Sequence, residues 1–132
     1  MKLLALISHT LMEGQVLEAK NQLKVDSIVL MPEDIKSIWA NISPFGPMPK
    51  DQLNQMIAWI EKESDKGDYV LVQGDFGATY YVVDYCIKNS RIPIYSTTQR
   101  EIEEHIIDGQ VESRRIFKHV NFRKYLPYEK EV

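Results

Sequence analysis

The chain has 132 residues, of which 44% are hydrophobic and 27% are charged, with a formal net charge of -3. This length and composition exclude a disordered chain, and we expect a single domain over residues 1–132. Residues 1–109 carry 10 basic and 16 acidic side chains, whereas residues 110–132 carry 6 basic and 3 acidic ones. The charge distribution therefore excludes a broad basic surface for duplex nucleic acid, but it permits a small anionic ligand.

No apolar run approaches the ~20 residues of a membrane span. Residues 1–7 are too short for a signal peptide, and Glu13 and Glu18 stand where a cleavage region belongs, so we expect a cytoplasmic protein. The single cysteine, Cys86, excludes an internal disulfide, and no Cys/His spacing indicates zinc. We therefore expect no metal and no cofactor. Cys86 lies in a helical apolar pattern, which favours a packed thiol over a nucleophile.

Short apolar runs predict strands, and apolar residues at helical spacing predict helices between them. In chain order, the predicted elements are a strand at Leu3–Ser8, a helix at Leu11–Leu23, a strand at Ser27–Met31, a short helix from Pro32 through Trp39, a longer helix from Pro49 to Lys66, a strand at Tyr69–Gln73, a helix at Ala78–Asn89 and a short strand at Ile92–Tyr95.

The last third of the chain has a different pattern. Two β-capable runs, Ile102–Ile107 and Val111–Val120, flank Asp108-Gly109, which is a strong hairpin signal. The earlier alternation of strands and helices predicts a parallel sheet with right-handed crossovers. The predicted fold is α/β, with a Rossmann-like or flavodoxin-like, mostly parallel sheet flanked by helices and a C-terminal antiparallel β-hairpin.

Ligands of open α/β sheets bind at the carboxyl ends of the strands, where the winding reverses. With a strand order of 2-1-3-4, this crevice lies between the ends of the first and third strands, beside the loop that follows the fourth. The candidate ligand-binding residues in these three loops are Ser8, His9, Thr10, Gly74, Asp75, Phe76, Gly77, Ala78, Thr79, Thr97, Thr98 and Arg100, and Ser96 adds a further hydroxyl nearby.

The segment Gly74–Thr79 separates the third strand from a helix. Glycines at Gly74 and Gly77 allow a close approach of the backbone to a ligand, and the free N–H groups of a helix start suit phosphate. The alternative is an ordinary turn at Gly74, with Asp75 capping the helix. The segment has neither the dinucleotide pattern G-x-G-x-x-G nor a Walker sequence.

His9 is the only histidine in the predicted crevice, where it either contacts a phosphate, donates a proton or has a structural role. The guanidinium of Arg100 suits bidentate phosphate binding, although a surface position near Glu101 explains it equally well. His105 and His119 fall on the predicted hairpin, where we expect surface or packing residues.

Three segments resemble those of one protein group: residues 73–79 (QGDFGAT), 92–100 (IPIYSTTQR) and 117–125 (FKHVNFRKY). The group is the small stand-alone ring nucleases of the Csx type, CRISPR-associated proteins with a CARF-like fold that accompany type III systems. Residues 8–10 and 31–42 also fit, so the resemblance covers nearly the whole chain.

The resemblance implies a homodimer that binds cyclic oligoadenylate, in particular the tetra-adenylate ring, across its two-fold axis. Attack by a ribose 2′-hydroxyl, without a metal ion, would give linear di-adenylate with 2′,3′-cyclic phosphate ends and switch off antiviral signalling. Thr10 and Thr98 would position the ring, and the loop Gly74–Thr79 would contact its backbone. The expected catalytic residues are His9, Thr10, Asp75 and Arg100, of which Arg100 would bind the phosphate and His9 and Asp75 are the proton-transfer candidates.

Three alternatives remain open from the sequence. The first is a binding protein that sequesters the same ring without cutting it, and the second is a flavodoxin-like enzyme for another nucleotide. The third is an interaction domain that uses the basic hairpin residues Arg114 and Arg115 as its surface.

Overall fold

The structure is a computed structural model that describes residues 1–130. Strands and helices alternate along the first two thirds of the chain, and two long strands complete it. The elements are β1 (Lys2–Leu6), α1 (Glu13–Asn21), β2 (Ser27–Leu30), α2 (Glu33–Ala40), α3 (Lys50–Glu63), β3 (Tyr69–Val72), α4 (Phe76–Lys88), β4 (Ile92–Ile107) and β5 (Gln110–Lys124).

The five strands form one sheet in the order β2-β1-β3-β4-β5. The first four strands are parallel, and β5 runs antiparallel to β4. The predicted order 2-1-3-4 and the predicted antiparallel addition are confirmed, so the fold is mixed α/β with a mostly parallel sheet flanked by helices. As expected for strands covered on both faces, Leu3–Leu6 and Val70–Val72 are buried.

Successive side chains of each strand enter two different cores because they point to opposite faces of the sheet. Leu4, Leu6 and Val72 face α2, α3 and α4, and Cys86 is fully buried among them. The packed thiol predicted for Cys86 is therefore confirmed. On the other face, α1 packs its Ala19 against a second cluster. The strand residues of that cluster are Leu3, Ala5, Leu71 and Ile94.

The fourth strand differs from the prediction. A short strand, a loop over Ser96–Arg100 and a separate hairpin strand were expected, but β4 is continuous over Ile92–Ile107. The loop prediction is wrong because these polar residues pair with β5, with Thr98 opposite His119. Threonine fits a half-exposed pleated surface, so polarity alone does not end a strand.

The hairpin turn is confirmed at Asp108 and Gly109, whose φ angles are 52° and 77°. Positive φ at both turn residues is what a two-residue hairpin loop requires. Between the sheet and this turn, residues 99–118 form a two-stranded projection that we call the ribbon arm. The arm is mostly exposed, and Ile106 on it is 79% exposed. A β-bulge between Thr97 and Thr98 marks the base of the arm.

Candidate functional site

Two of the predicted loops lie at the same edge of the sheet. Ser8, His9 and Thr10 follow β1, and Gly74–Thr79 begins just after β3. Strands β1 and β3 are parallel neighbours in the register Leu6 to Val72, so both loops leave the sheet at the carboxyl ends of adjacent strands. Ser8, His9 and Thr10 are exposed. The strand order reverses here, which is where open α/β sheets bind ligands.

Asp75 caps α4. Its Oδ2 accepts a hydrogen bond from the backbone N–H of Ala78 at 3.0 Å, and its carbonyl oxygen accepts one from Thr79 N at 2.8 Å. The helix therefore starts at Phe76, two residues earlier than predicted. The N–H of Ala78 is engaged, whereas those of Phe76 and Gly77 lie in the first turn, where a helix offers no acceptor. These two N–H groups lie at the positive end of the helix dipole.

Gly74 has a packing role. A Cβ atom at this position would lie 2.9 Å from three atoms of the Trp39 indole ring. Trp39 is 3% exposed, and its Nε1 donates to the carbonyl oxygen of Gln73 at 3.0 Å. The backbone therefore passes directly over a fixed indole ring, and only glycine leaves room for it. This contact accounts for Gly74 without a ligand.

The start of α4 also presents an exposed aromatic side chain. Phe76 is 94% exposed, and the buried Oγ1 of Thr79 has no hydrogen-bond partner within residues 1–130. Both residues line a groove between α4 and the C-terminal segment. We call it the α4 groove, and it is lined by Phe76, Thr79, Tyr80, Val83, Asp84, Ile87, Tyr125, Leu126, Pro127 and Tyr128.

A second cavity opens on the α1 face of the sheet, next to the loop that follows β1. Its volume is about 380 Å³, within the range of small-molecule sites. His9 and Thr10 line it, and His9 Nδ1 lies 3.1 Å from the carbonyl oxygen of Thr10. We call it the β1–β2 cavity. Its other lining residues are Ala5, Ile7, Leu11, Val16, Ile28, Leu30, Met31, Glu33 and Lys36.

Arg100 is placed differently from the prediction. It lies on the ribbon arm, where its guanidinium carbon is 5.5 Å from the centre of the Phe117 ring. In the register of the sheet, Arg100 is five residues beyond the end of β3, which is about 16 Å along a strand. The structure therefore brings the two loops together but carries Arg100 out past them. A cation over an aromatic face is also a sufficient structural environment for it.

Thr97 and Thr98 also lie on β4 rather than in a loop. The hydroxyl of Thr97 donates to the carbonyl oxygen of Asn121 at 3.0 Å and accepts from Asn121 N at 3.2 Å, so its hydrogen-bonding capacity is used within the sheet. Thr98 is exposed at the bulge. Of the predicted fourth-strand residues, Thr98 is the one nearest to the sheet edge with an exposed side chain.

A group of three polar side chains was not found from the sequence. His119 is nearly buried, with 3% of its side chain exposed. Its Nε2 lies 2.7 Å from Glu18 Oε1, and its Nδ1 contacts Ser96 Oγ. We call Glu18, His119 and Ser96 the acid–histidine–serine chain. No local motif indicates it, because its members come from α1, β4 and β5 and meet only through the β4–β5 register and the packing of α1 against β5.

Metal-binding clusters and membrane-spanning helices are both absent from residues 1–130. Among residues 1–130, no group of three or more His, Cys, Asp or Glu side chains is arranged to hold a metal ion. Within the same residues, no helix combines the length and the apolar character needed to cross a membrane.

Comparison with known proteins identifies relatives along almost the whole chain. Residues 1–123 match the model of the uncharacterized protein MJ1673 family. The chain is 42% identical over 127 residues to the uncharacterized protein MJ1673 of Methanocaldococcus jannaschii, and the alignment covers 96% of this chain and 98% of that protein. No solved structure matches the chain significantly. The chain therefore belongs to the uncharacterized protein MJ1673 family.

Proposed function

We propose that this protein is a ring nuclease with a Rossmann-like, CARF-like fold, which binds cyclic tetra-adenylate and cleaves it without a metal ion. The observation that carries the proposal is the position of two polar loops, Ser8–Thr10 and Gly74–Thr79, at the carboxyl ends of adjacent parallel strands. The resemblance of these loops to those of Csx-type ring nucleases supplies the ligand class.

Different parts of the site suit the phosphate, the base and the sugar of a nucleotide. The N–H groups of Phe76 and Gly77, at the positive end of α4, suit a phosphate. The β1–β2 cavity has apolar walls and a volume of about 380 Å³, which suits a base whose sugar lies near His9 and Thr10. The exposed ring of Phe76 offers a second surface for stacking.

The reaction requires the ribose 2′-oxygen to attack the adjacent phosphorus while the bond to the 5′-oxygen breaks. A protein accelerates it by holding the two oxygens in line and by stabilising negative charge on the phosphate. In this proposal, backbone N–H groups at α4 stabilise the charge, and Thr10 and Thr98 position the ring. His9 transfers a proton, whereas Asp75 acts through the cap that it forms on α4.

A homodimer fits the α4 groove. Phe76, Tyr80 and Tyr128 are 94%, 74% and 90% exposed. At ~150–250 Å² for each aromatic side chain, they expose roughly 400–600 Å², compared with the ~800 Å² per partner of a stable interface. Asp84 and Lys88 pair with each other at 2.8 Å, so neither charge would be left unpaired beside the groove.

A two-fold axis along this groove would bring the two α4 N-termini together. Each chain would then offer the same donors to a ring that has the same symmetry. The ribbon arm is a poorer interface because its apolar residues alternate with charged ones. Ile102 and Ile106, for example, are separated by Glu103 and Glu104.

Calorimetric titration with cyclic tetra-adenylate, together with sedimentation analysis, tests the proposal. We expect a dimer that binds one ring per two chains. Tyr80→Glu, in the α4 groove, should give a monomer with weakened ring binding, whereas the matched change Ile106→Glu on the ribbon arm should leave the dimer intact. Failure of the wild-type protein to bind the ring would refute the proposal, and a Tyr80→Glu dimer would place the interface elsewhere.

Sequestration of the ring without cleavage is the second candidate function. The structural roles of Gly74 and Asp75 favour it, because both residues are explained by packing and capping and need no part in chemistry. Recovery of intact ring after prolonged incubation with saturating protein would establish this function instead.

A further inference from the structure

The acid–histidine–serine chain has a defined direction of hydrogen bonding. A carboxylate can only accept, so His119 Nε2 carries the hydrogen that it shares with Glu18 Oε1 at 2.7 Å. In the neutral imidazole, the other ring nitrogen, Nδ1, then has a lone pair and accepts from the hydroxyl of Ser96. The order of acid, imidazole and hydroxyl is that of a catalytic triad, with the two ring nitrogens exchanged.

Every member of this chain is held in place. Glu18 also accepts the backbone N–H of Phe122, at 2.9 and 3.1 Å to its two oxygens. The backbone N–H of Ser96 donates to Gln73 Oε1 at 3.1 Å. Ser96 is 7% exposed, so little water competes for its hydroxyl. Fixed partners of this kind preserve the orientation on which proton transfer depends.

The acid–histidine–serine chain also lies next to the candidate site. Gln73, which binds Ser96, immediately precedes the loop Gly74–Thr79. The β-bulge between Thr97 and Thr98 begins one residue after Ser96. Bulges redirect side chains and are frequent next to active sites. Ser96 therefore lies at the sheet edge that carries the two polar loops.

We propose that Ser96 accepts the proton of the attacking ribose 2′-hydroxyl, with His119 and Glu18 as positioning residues; this rests on the proposed ring-nuclease function. As the 2′-oxygen bonds to phosphorus, its proton moves to Ser96 Oγ and the proton of Ser96 moves to His119 Nδ1. The leaving 5′-oxygen takes a proton from His9, which takes one in turn from solvent water. The imidazolium, stabilised by Glu18, returns its proton to the resulting hydroxide.

Single-turnover cleavage and ring affinity of Ser96→Ala test this assignment. We expect the cleavage rate to fall by about 10²–10⁴-fold while the dissociation constant stays within about threefold, because general base catalysis contributes that much to rate. The matched control is Ser113→Ala, an exposed serine on the ribbon arm, which should cleave as the wild type does. A Ser96→Ala protein that cleaves within threefold of the wild-type rate would overturn the proposal.

His119→Asn distinguishes two roles of His119: positioning Ser96 for proton transfer, or only holding α1 against β5 through its hydrogen bond to Glu18. A clamp alone would lower the melting temperature and leave the cleavage rate of the folded, ring-bound protein unchanged, which would overturn the proposal. We expect that rate to fall together with that of Ser96→Ala, and the double variant to be no slower than either single variant.

Nitrogen-15 NMR of the ligand-free protein provides a test that does not depend on the proposed function. We expect His119 as the neutral Nε2–H tautomer with a hydrogen-bonded Nδ1, and we expect Ser96→Ala to shift Nδ1. A hydrogen on Nδ1 would contradict the hydrogen-bond order. If this tautomer is found and the ring is bound but left intact, the relay proposal fails while ring binding stands. If the ring is not bound at all, the proposed function fails first.

Discussion

Gly74→Ala tests whether Gly74 is required by packing. The added Cβ would lie 2.9 Å from three indole atoms of Trp39, at least about 0.6 Å inside the ~3.5 Å optimum for carbon contacts. Trp39 cannot move aside freely, because it is 3% exposed and its Nε1 is hydrogen-bonded to Gln73. Overpacking of this kind costs about 1–3 kcal/mol, so we expect a loss of that size in the free energy of unfolding.

Urea denaturation of Gly74→Ala and Gly14→Ala measures this loss against a matched control. At Gly14 the added Cβ would approach His119 no closer than 3.6 Å, an ordinary contact. Because alanine is also favoured over glycine in a helix, Gly14→Ala should be as stable as the wild type, or up to about 1 kcal/mol more stable. If Gly74→Ala unfolds at the wild-type midpoint, the packing explanation of Gly74 is wrong and its role must lie in ligand binding.

Three further predictions concern the cap, the arm and the buried thiol. Asp75→Ala should lower the free energy of unfolding by about 0.5–2 kcal/mol, because the hydrogen bond to the backbone N–H of Ala78 is lost. Asp75→Asn, whose side-chain oxygen can still accept this bond, should keep a melting temperature close to that of the wild type. Equal stability of all three proteins would contradict the cap. Arg100→Ala, like Arg114→Ala, should leave the ring affinity close to the wild-type value in calorimetry, because the ribbon arm carries Arg100 past the two loops; a loss of about 1.5–3 kcal/mol, the value of a charged hydrogen bond, would return Arg100 to the site. Burial raises the pKa of Cys86 from about 9 to about 12, so thiol reagents should label it only after unfolding. Because the thiol of the unfolded chain loses its proton at lower pH than the buried thiol does, the free energy of unfolding should fall as the pH rises from about 9 towards 12. This fall should be less steep in Cys86→Ala. Rapid labelling of the native protein at pH 8 would contradict the burial of the thiol.

The sequence was sufficient for the parallel part of the fold. Continuous apolar runs such as Leu3–Ser8 belong to strands buried on both faces, and the helices between them leave few possible topologies. The turn at Asp108-Gly109 was equally clear, because few residue pairs adopt positive φ twice in succession.

The sequence failed where pairing with a distant strand decides the structure. Ser96–Arg100 reads as a polar loop, and only the ladder with β5 shows it to be part of β4. The same ladder brings His119 beside Ser96, and the packing of α1 adds Glu18. These contacts join residues that are 23 positions apart (Ser96 and His119) and 101 positions apart (Glu18 and His119), so no local spacing in the sequence indicates them.

Incubation of the purified protein with labelled cyclic tetra-adenylate in the presence of EDTA, followed by separation of the products, tests the central proposal most directly. We predict linear di-adenylate with 2′,3′-cyclic phosphate ends, formed at the same rate with and without added magnesium. Intact ring that elutes with the protein would contradict cleavage and establish sequestration, and intact ring that elutes apart from the protein would contradict the proposed function altogether.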